Sequence, residues 1–149
     1  MDTQRELSAG GVVYRHTAKG VEVVLISVKG GKIWALPKGR VEDHENLAAT
    51  AHREVKEETG LDGKIISKIG HVEYFFMFKT EAGATRVFKI VYFFLMECIG
   101  GDISKHDAEV LEVRWFPIDE AIGIMKYEDE KGILRKAKAL IAGSKAGQG

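Results

Sequence analysis

The chain has 149 residues, 45% hydrophobic and 30% charged, with 22 Lys plus Arg against 22 Asp plus Glu and zero formal net charge. These values fit one folded domain with a substantial core, and they argue against global disorder. The absence of a basic excess argues against a module that grips a nucleic-acid backbone. The longest apolar run, Ile90 to Met96, has seven residues, whereas a bilayer span needs about 20. No apolar signal stretch follows Met1, and the single cysteine, Cys98, excludes an internal disulfide. A soluble, cytoplasmic protein is expected.

The predicted elements run as follows. Leu7–Tyr14 and Val21–Val28 read as strands joined by a turn at Thr17–Gly20. A helix is expected from about Glu45 to Glu58, with Asp43 as N-cap and Gly60 as the stop. Ile65–Phe78 and Arg86–Ile99 form a second strand pair around Glu81–Ala84. Within it, Ile90–Met96 lacks polar alternation and predicts a central strand covered on both faces. Val110–Phe116 is a short strand stopped by Pro117. Helices follow at Asp119–Lys126 and Glu128–Ala142, the latter amphipathic through Ile133, Leu134, Ala137, Leu140 and Ile141. The tail 143–149 is expected to be disordered, leaving one domain over 1–142. The fold class is α/β (α+β), a mixed sheet sandwiched between helices.

The chemically informative segment is Gly39-Arg40-Val41-Glu42-Asp43-His44-Glu45 with Arg53-Glu54-Val55-Lys56-Glu57-Glu58-Thr59-Gly60-Leu61. At about 100° per residue, Glu54, Glu57 and Glu58 share one side of the helix, beside an apolar stripe of Leu47, Ala48, Ala51 and Val55. A solvated acidic face would account for such residues, but at a price: like charges at i,i+3 and i,i+4, near the negative end of the helix dipole, cost about 1 kcal/mol. A hard divalent cation, Mg²⁺ or Mn²⁺, would relieve that repulsion.

Gly39, Glu45, Arg53-Glu54-Val55, Glu57-Glu58 and Gly60-Leu61 stand at the spacing of the Nudix box, and the chain resembles the Nudix hydrolase family over roughly residues 5 to 142. The resemblance implies an α/β/α sandwich and metal-dependent hydrolysis of a pyrophosphate linked to a nucleoside or similar group. It implies Glu54, Glu57 and Glu58 as metal ligands, with Glu54 or Glu58 as an alternative proton acceptor. Arg53, placed with the catalytic set, and Glu45 would orient helix and loop, Gly39 would allow close approach beneath the metal, and Gly60 would end the helix. A further metal-binding glutamate from a later loop corresponds best to Glu109; Glu112 falls within the following strand.

Trp34-Ala35-Leu36-Pro37-Lys38-Gly39 is similar to the branch of that family that cleaves diadenosine tetraphosphate asymmetrically, to ATP and AMP. That likeness implies Lys38 as a phosphate contact. Tyr74 and Tyr127 would be the aromatic pair around a base, with Trp34, Phe75 and Phe76 read as core and His71 as structural. Cys98 reads as a small buried hydrophobe. The partner is a small nucleotide; hydrolysis of oxidised nucleoside triphosphates or of a diphosphoinositol phosphate, and a nucleotide-sensing domain without catalysis, remain alternatives. Oligomeric state is left open.

Overall fold

The computed structural model describes residues 3–28 and 32–147. Seven strands form one mixed sheet: β1 (Thr3–Thr17), β2 (Gly20–Val28), β3 (Ile33–Ala35), β4 (Lys38–Arg40), β5 (Leu61–Thr80), β6 (Gly83–Gly101) and β7 (Glu112–Pro117). The main path is β3-β2-β1-β6-β5, with β4 on β1 and β7 on β2. β1 and β6 run parallel and the other pairs antiparallel. The helices are α1 (Leu47–Thr59), α2 (Ile118–Ile124) and α3 (Glu128–Gly147), with a 3₁₀ turn at Ile103–Lys105.

The middle of the sheet is buried on both faces because β2 and β6 carry unbroken apolar runs there. In β6, Val91, Phe93 and Leu95 enter the core beneath α2 and α3. The intervening Phe94 and Met96 enter the core beneath α1. β2 divides in the same way, with Val23 and Leu25 on one side and Val24 and Ile26 on the other. That is the period-2 geometry of a strand between two layers. The expected mixed sheet between helices is therefore present.

Three local expectations need correction. Asn46, not Asp43, caps α1: its side chain accepts from the Ala49 N–H at 2.8 Å. The preceding residues form a turn in which the Glu45 N–H donates to the Glu42 carbonyl at 3.0 Å and His44 has φ 68, so the helix starts at Leu47 rather than Glu45. Phe75 is not core: it is 53% exposed on the projecting β5–β6 hairpin, stacked against Phe88 at 4.8 Å. The segment expected to be disordered from Gly143 continues α3 through Gly147, while Gln148 and Gly149 lie outside the described residues. Ala142, Gly143 and Ser144 are exposed, so main-chain hydrogen bonding extends this helix without side-chain burial.

Candidate active site

α1 is anchored by Ala51 and Val55, both fully buried, and ended by Gly60. Gly60 sits at φ 78, where its N–H donates to the Lys56 carbonyl at 2.9 Å; a side-chain-bearing residue there would be strained. This register turns Glu54 and Glu58 toward β4 and leaves Glu57 more exposed, with its side chain 47% accessible.

β4 approaches α1 closely at Gly39, where a Cβ would overlap the Glu54 carboxylate. The glycine is required for space, since its φ is not in the left-handed region. One residue earlier, the Lys38 N–H donates to Glu58 Oε1 at 2.7 Å.

Arg53 is the hub of the loop-helix junction. Its Nε and Nη2 donate to the two oxygens of Glu45 at 2.7 and 2.9 Å, Nη2 also to the Arg40 carbonyl at 2.9 Å, and Nη1 to Glu54 Oε1 at 2.8 Å. Its contact with Glu57 is looser, at 3.4 Å. The guanidinium, aided by the Glu42 N–H, holds the Glu45 carboxyl down at about 2. The same contacts push the Arg53 pKa upward. Arg53 therefore positions Glu54 and ties the loop to the helix.

Burial raises the Glu54 pKa, opposed by Arg53 and reinforced by Glu57 and Asp107. Burial raises Glu58 further, to about 8, against the Lys38 N–H that favours its charged form. These are hard oxygen donors whose joint ionisation is disfavoured until a cation is present, a donor chemistry that fits Mg²⁺ or Mn²⁺. Glu54 is turned to Arg53 and Glu58 to Lys38, so among the described residues no three His, Cys, Asp or Glu side chains form a closed ligand group.

The structure brings Lys38, Glu58, Tyr74 and Tyr127 together around one cavity of about 550 Å³, completed by Leu36, Val72, Asp129 and Glu130 among others. Both tyrosines are partly exposed, at 37% and 40%. Burial raises the Tyr74 hydroxyl. Trp34 packs edge-on against Phe116 at 5.0 Å, as core. His71 lies away from this cavity, 3.7 Å from Glu73 on the exposed strand. Cys98 is only half-buried, at the edge of the α1-side core.

Glu109 is exposed and does not join the carboxylates; its N–H donates to Asp107 Oδ1 at 3.0 Å. Asp107 is the loop carboxylate that acts electrostatically on both Glu54 and Glu58, and its N–H is fixed by the Glu57 carbonyl at 2.8 Å. Glu112 lies in β7, beside Arg114. Sequence reasoning missed Asp107, and it missed Glu130, one of three acids in the first turn of α3. It also missed Lys89, paired across the strands with both Glu6 and Tyr74. Burial lowers its pKa, and the neighbouring charges of Lys38 and Arg40 act in the same direction. No hydrophobic pattern marks these residues, because each becomes notable only through a neighbour distant in sequence.

The NUDIX domain profile matches residues 4–139. The chain belongs to the NUDIX family. It is 37% identical over 147 residues to the mutator-type protein named MutT4 of Mycobacterium tuberculosis, covering 95% of this chain and 58% of that one. It is 33% identical over 132 residues to the 8-oxo-(d)GTP phosphatase of Mycolicibacterium smegmatis, covering 89% and 38%. The NUDIX chain thus spans about half the length of such curated relatives. It is 29% identical over 139 residues to the asymmetrical bis(5′-nucleosyl)-tetraphosphatase of Caenorhabditis elegans, covering 91% and 96%. A solved binary complex of an Ap4A hydrolase from C. elegans superposes with a TM-score of 0.67 at 27% identity, over 91% of this chain and 98% of that one. Among the described residues, no helix of this NUDIX protein is long and apolar enough to cross a membrane.

Proposed function

We propose that the protein hydrolyses the pyrophosphate linkage of a nucleoside polyphosphate with the aid of Mg²⁺ or Mn²⁺, its first substrate being diadenosine tetraphosphate, cleaved to ATP and AMP. The observation that carries this reading is the shared cavity: two tyrosines able to face a base, Lys38 at the phosphate-loop side, and Glu58 on the same wall. Aromatic rings grip a base face, an ammonium contacts phosphate oxygens, and the carboxylates of α1 lie where the phosphate chain would follow.

Glu54, Glu57 and Glu58 would hold the cation, with Asp107 adding negative charge beside them. Glu109, at the same loop, is retained as a candidate to be tested against Asp107. When bound, a divalent cation would supply neutralisation of phosphate oxygens and acidification of nearby water. The protein's own part is to orient the phosphates through Lys38 and to receive the proton of the attacking water on Glu58 or Glu54. The water oxygen bonds to phosphorus, the phosphorus–oxygen bond to the leaving nucleotide breaks, and that nucleotide departs as an anion. Arg53 and Glu45 act by fixing Glu54 and the loop.

A second reading, hydrolysis of oxidised nucleoside triphosphates, is favoured by the 37% identity to the MutT4 mutator-type protein and the 33% identity to the 8-oxo-(d)GTP phosphatase. The deciding experiment is a Mg²⁺ hydrolysis panel of diadenosine polyphosphates, nucleoside triphosphates, oxidised guanine nucleotides, ADP-ribose and diphosphoinositol phosphates, with product analysis. Highest kcat/KM for diadenosine tetraphosphate, yielding ATP and AMP, supports the first reading. Two ADP per substrate would refute asymmetric cleavage, and preference for an oxidised guanine nucleotide would establish the second.

A further inference from the structure

Glu130 is an anomaly in α3. Glu128 and Asp129 already complement the helix dipole from solvent, whereas Glu130 is 5% exposed. A buried carboxylate is costly unless both oxygens are well partnered. Here both are, and both partners come from one segment more than 90 residues earlier. Oε1 accepts from the Leu36 N–H at 2.8 Å and Oε2 from Lys38 Nζ at 2.8 Å. The pair is shielded, the two side chains being 23% and 7% accessible. Lys38 is thereby held twice: its ammonium by Glu130 and its backbone N–H by Glu58.

We infer that Glu130 is a positioning residue that fixes the Lys38 ammonium at the boundary between the base-binding cavity and the phosphate path. An ammonium has three donors. Glu130 takes one, and the other two are left for phosphate oxygens in a defined direction. A free lysine would have to be immobilised on binding, with loss of rotamer entropy; Glu130 makes that loss part of folding. Because α3 begins just after Tyr127, the same carboxylate also sets the spacing between the base-facing ring and the phosphate-facing charge. This inference rests on the nucleotide reading above.

The test is a binding measurement with adenosine 5′-(β,γ-methylene)triphosphate and with adenosine alone, on the unaltered protein, Glu130→Gln, Lys38→Ala and the double variant. Gln keeps an acceptor for the Leu36 N–H and nearly the same volume, so it isolates the charge on Lys38. Glu130→Gln is expected to weaken the triphosphate analogue five- to tenfold and to leave adenosine within twofold. The double variant should bind no more weakly than Lys38→Ala, because Glu130 acts through that lysine. Equal weakening for adenosine would assign Glu130 to cavity shape instead, and additive losses or tighter triphosphate binding would also overturn the inference. If Glu130→Gln unfolds, Lys38→Met supplies the same comparison from the other partner: unchanged analogue affinity there sinks the proposal. Failure of the unaltered protein to bind either compound would overturn the nucleotide reading, whereas normal binding without a Glu130 effect overturns only this inference.

Discussion

Lys38 and Glu58 meet through a main-chain hydrogen bond of 2.7 Å, so the phosphate-side loop and the carboxylate helix are locked together at a single oxygen. The bond leaves the other Glu58 oxygen uncommitted on a largely desolvated wall. It also means that a substitution at 58 can separate charge from architecture.

Glu58→Gln retains an acceptor for the Lys38 N–H and removes the negative charge. In chelator at neutral pH its melting temperature should equal or slightly exceed that of the unaltered protein, since an amide spares the folded state the proton uptake that burial imposes on Glu58. In Mg²⁺, turnover should fall about a hundredfold or more, because a ligand or proton acceptor is lost. Clear destabilisation in chelator would reveal a structural role, and near-normal turnover would remove Glu58 from the reaction.

Glu58 also sets a pH dependence of stability. Its folded pKa is about 8 against an ordinary 4.5, so between those values the folded protein keeps a proton that the unfolded chain releases. The unfolded state binds fewer protons there, and stability in chelator must fall as pH rises from about 5 to 8, by at most about 1.4 kcal/mol per pH unit. Melting curves across that range should show the decline, and Glu58→Gln should flatten it. Parallel curves for the two proteins would show that Glu58 does not titrate in this window.

Gly39→Ala places a methyl group on the Glu54 carboxylate. The group that yields is the end of a flexible side chain, so the stability cost should be about 1 kcal/mol or less. Turnover should nevertheless drop at least about tenfold, because Glu54 is displaced from its place beside Arg53. A large fall in melting temperature with unchanged turnover per folded molecule would reverse this assignment.

Asp107 and Glu109 can be separated by the Mg²⁺ concentration that gives half-maximal hydrolysis. Asp107→Asn should raise it severalfold, because Asp107 contributes to the negative potential at Glu54 and Glu58. Glu109→Gln, on the exposed part of the loop, should change it less than about twofold. The opposite ranking would return the ligand role to Glu109.

Tyr127→Ala should raise KM more than it lowers kcat. Base stacking is worth about 1–3 kcal/mol, which corresponds to a weakening of about five- to a hundredfold. Unchanged kinetics with a lower melting temperature would make Tyr127 a packing residue only.

Much of this protein is determined by local patterning. The unbroken apolar run in β6 can only be satisfied between two layers, and the spacing of Glu54, Glu57 and Glu58 fixes their common side of α1 whatever surrounds it. Tyr74 and Tyr127 were identified by likeness to a family pattern, and the cavity brings them together. The tertiary structure decided what depends on approach between distant segments. It desolvated Glu54 and Glu58 while leaving Glu57 more exposed, and brought the charge of Asp107 to act on both. It also buried Glu130 against Leu36 and Lys38, 94 and 92 residues away. The cap moved from Asp43 to Asn46 for a related reason: Glu45 is drawn to Arg53, eight residues on, and the turn before α1 closes around that ion pair. Helical and strand periods report which face a residue occupies, but the charge state and partner of a carboxylate follow from the dielectric and donors that another element brings to it.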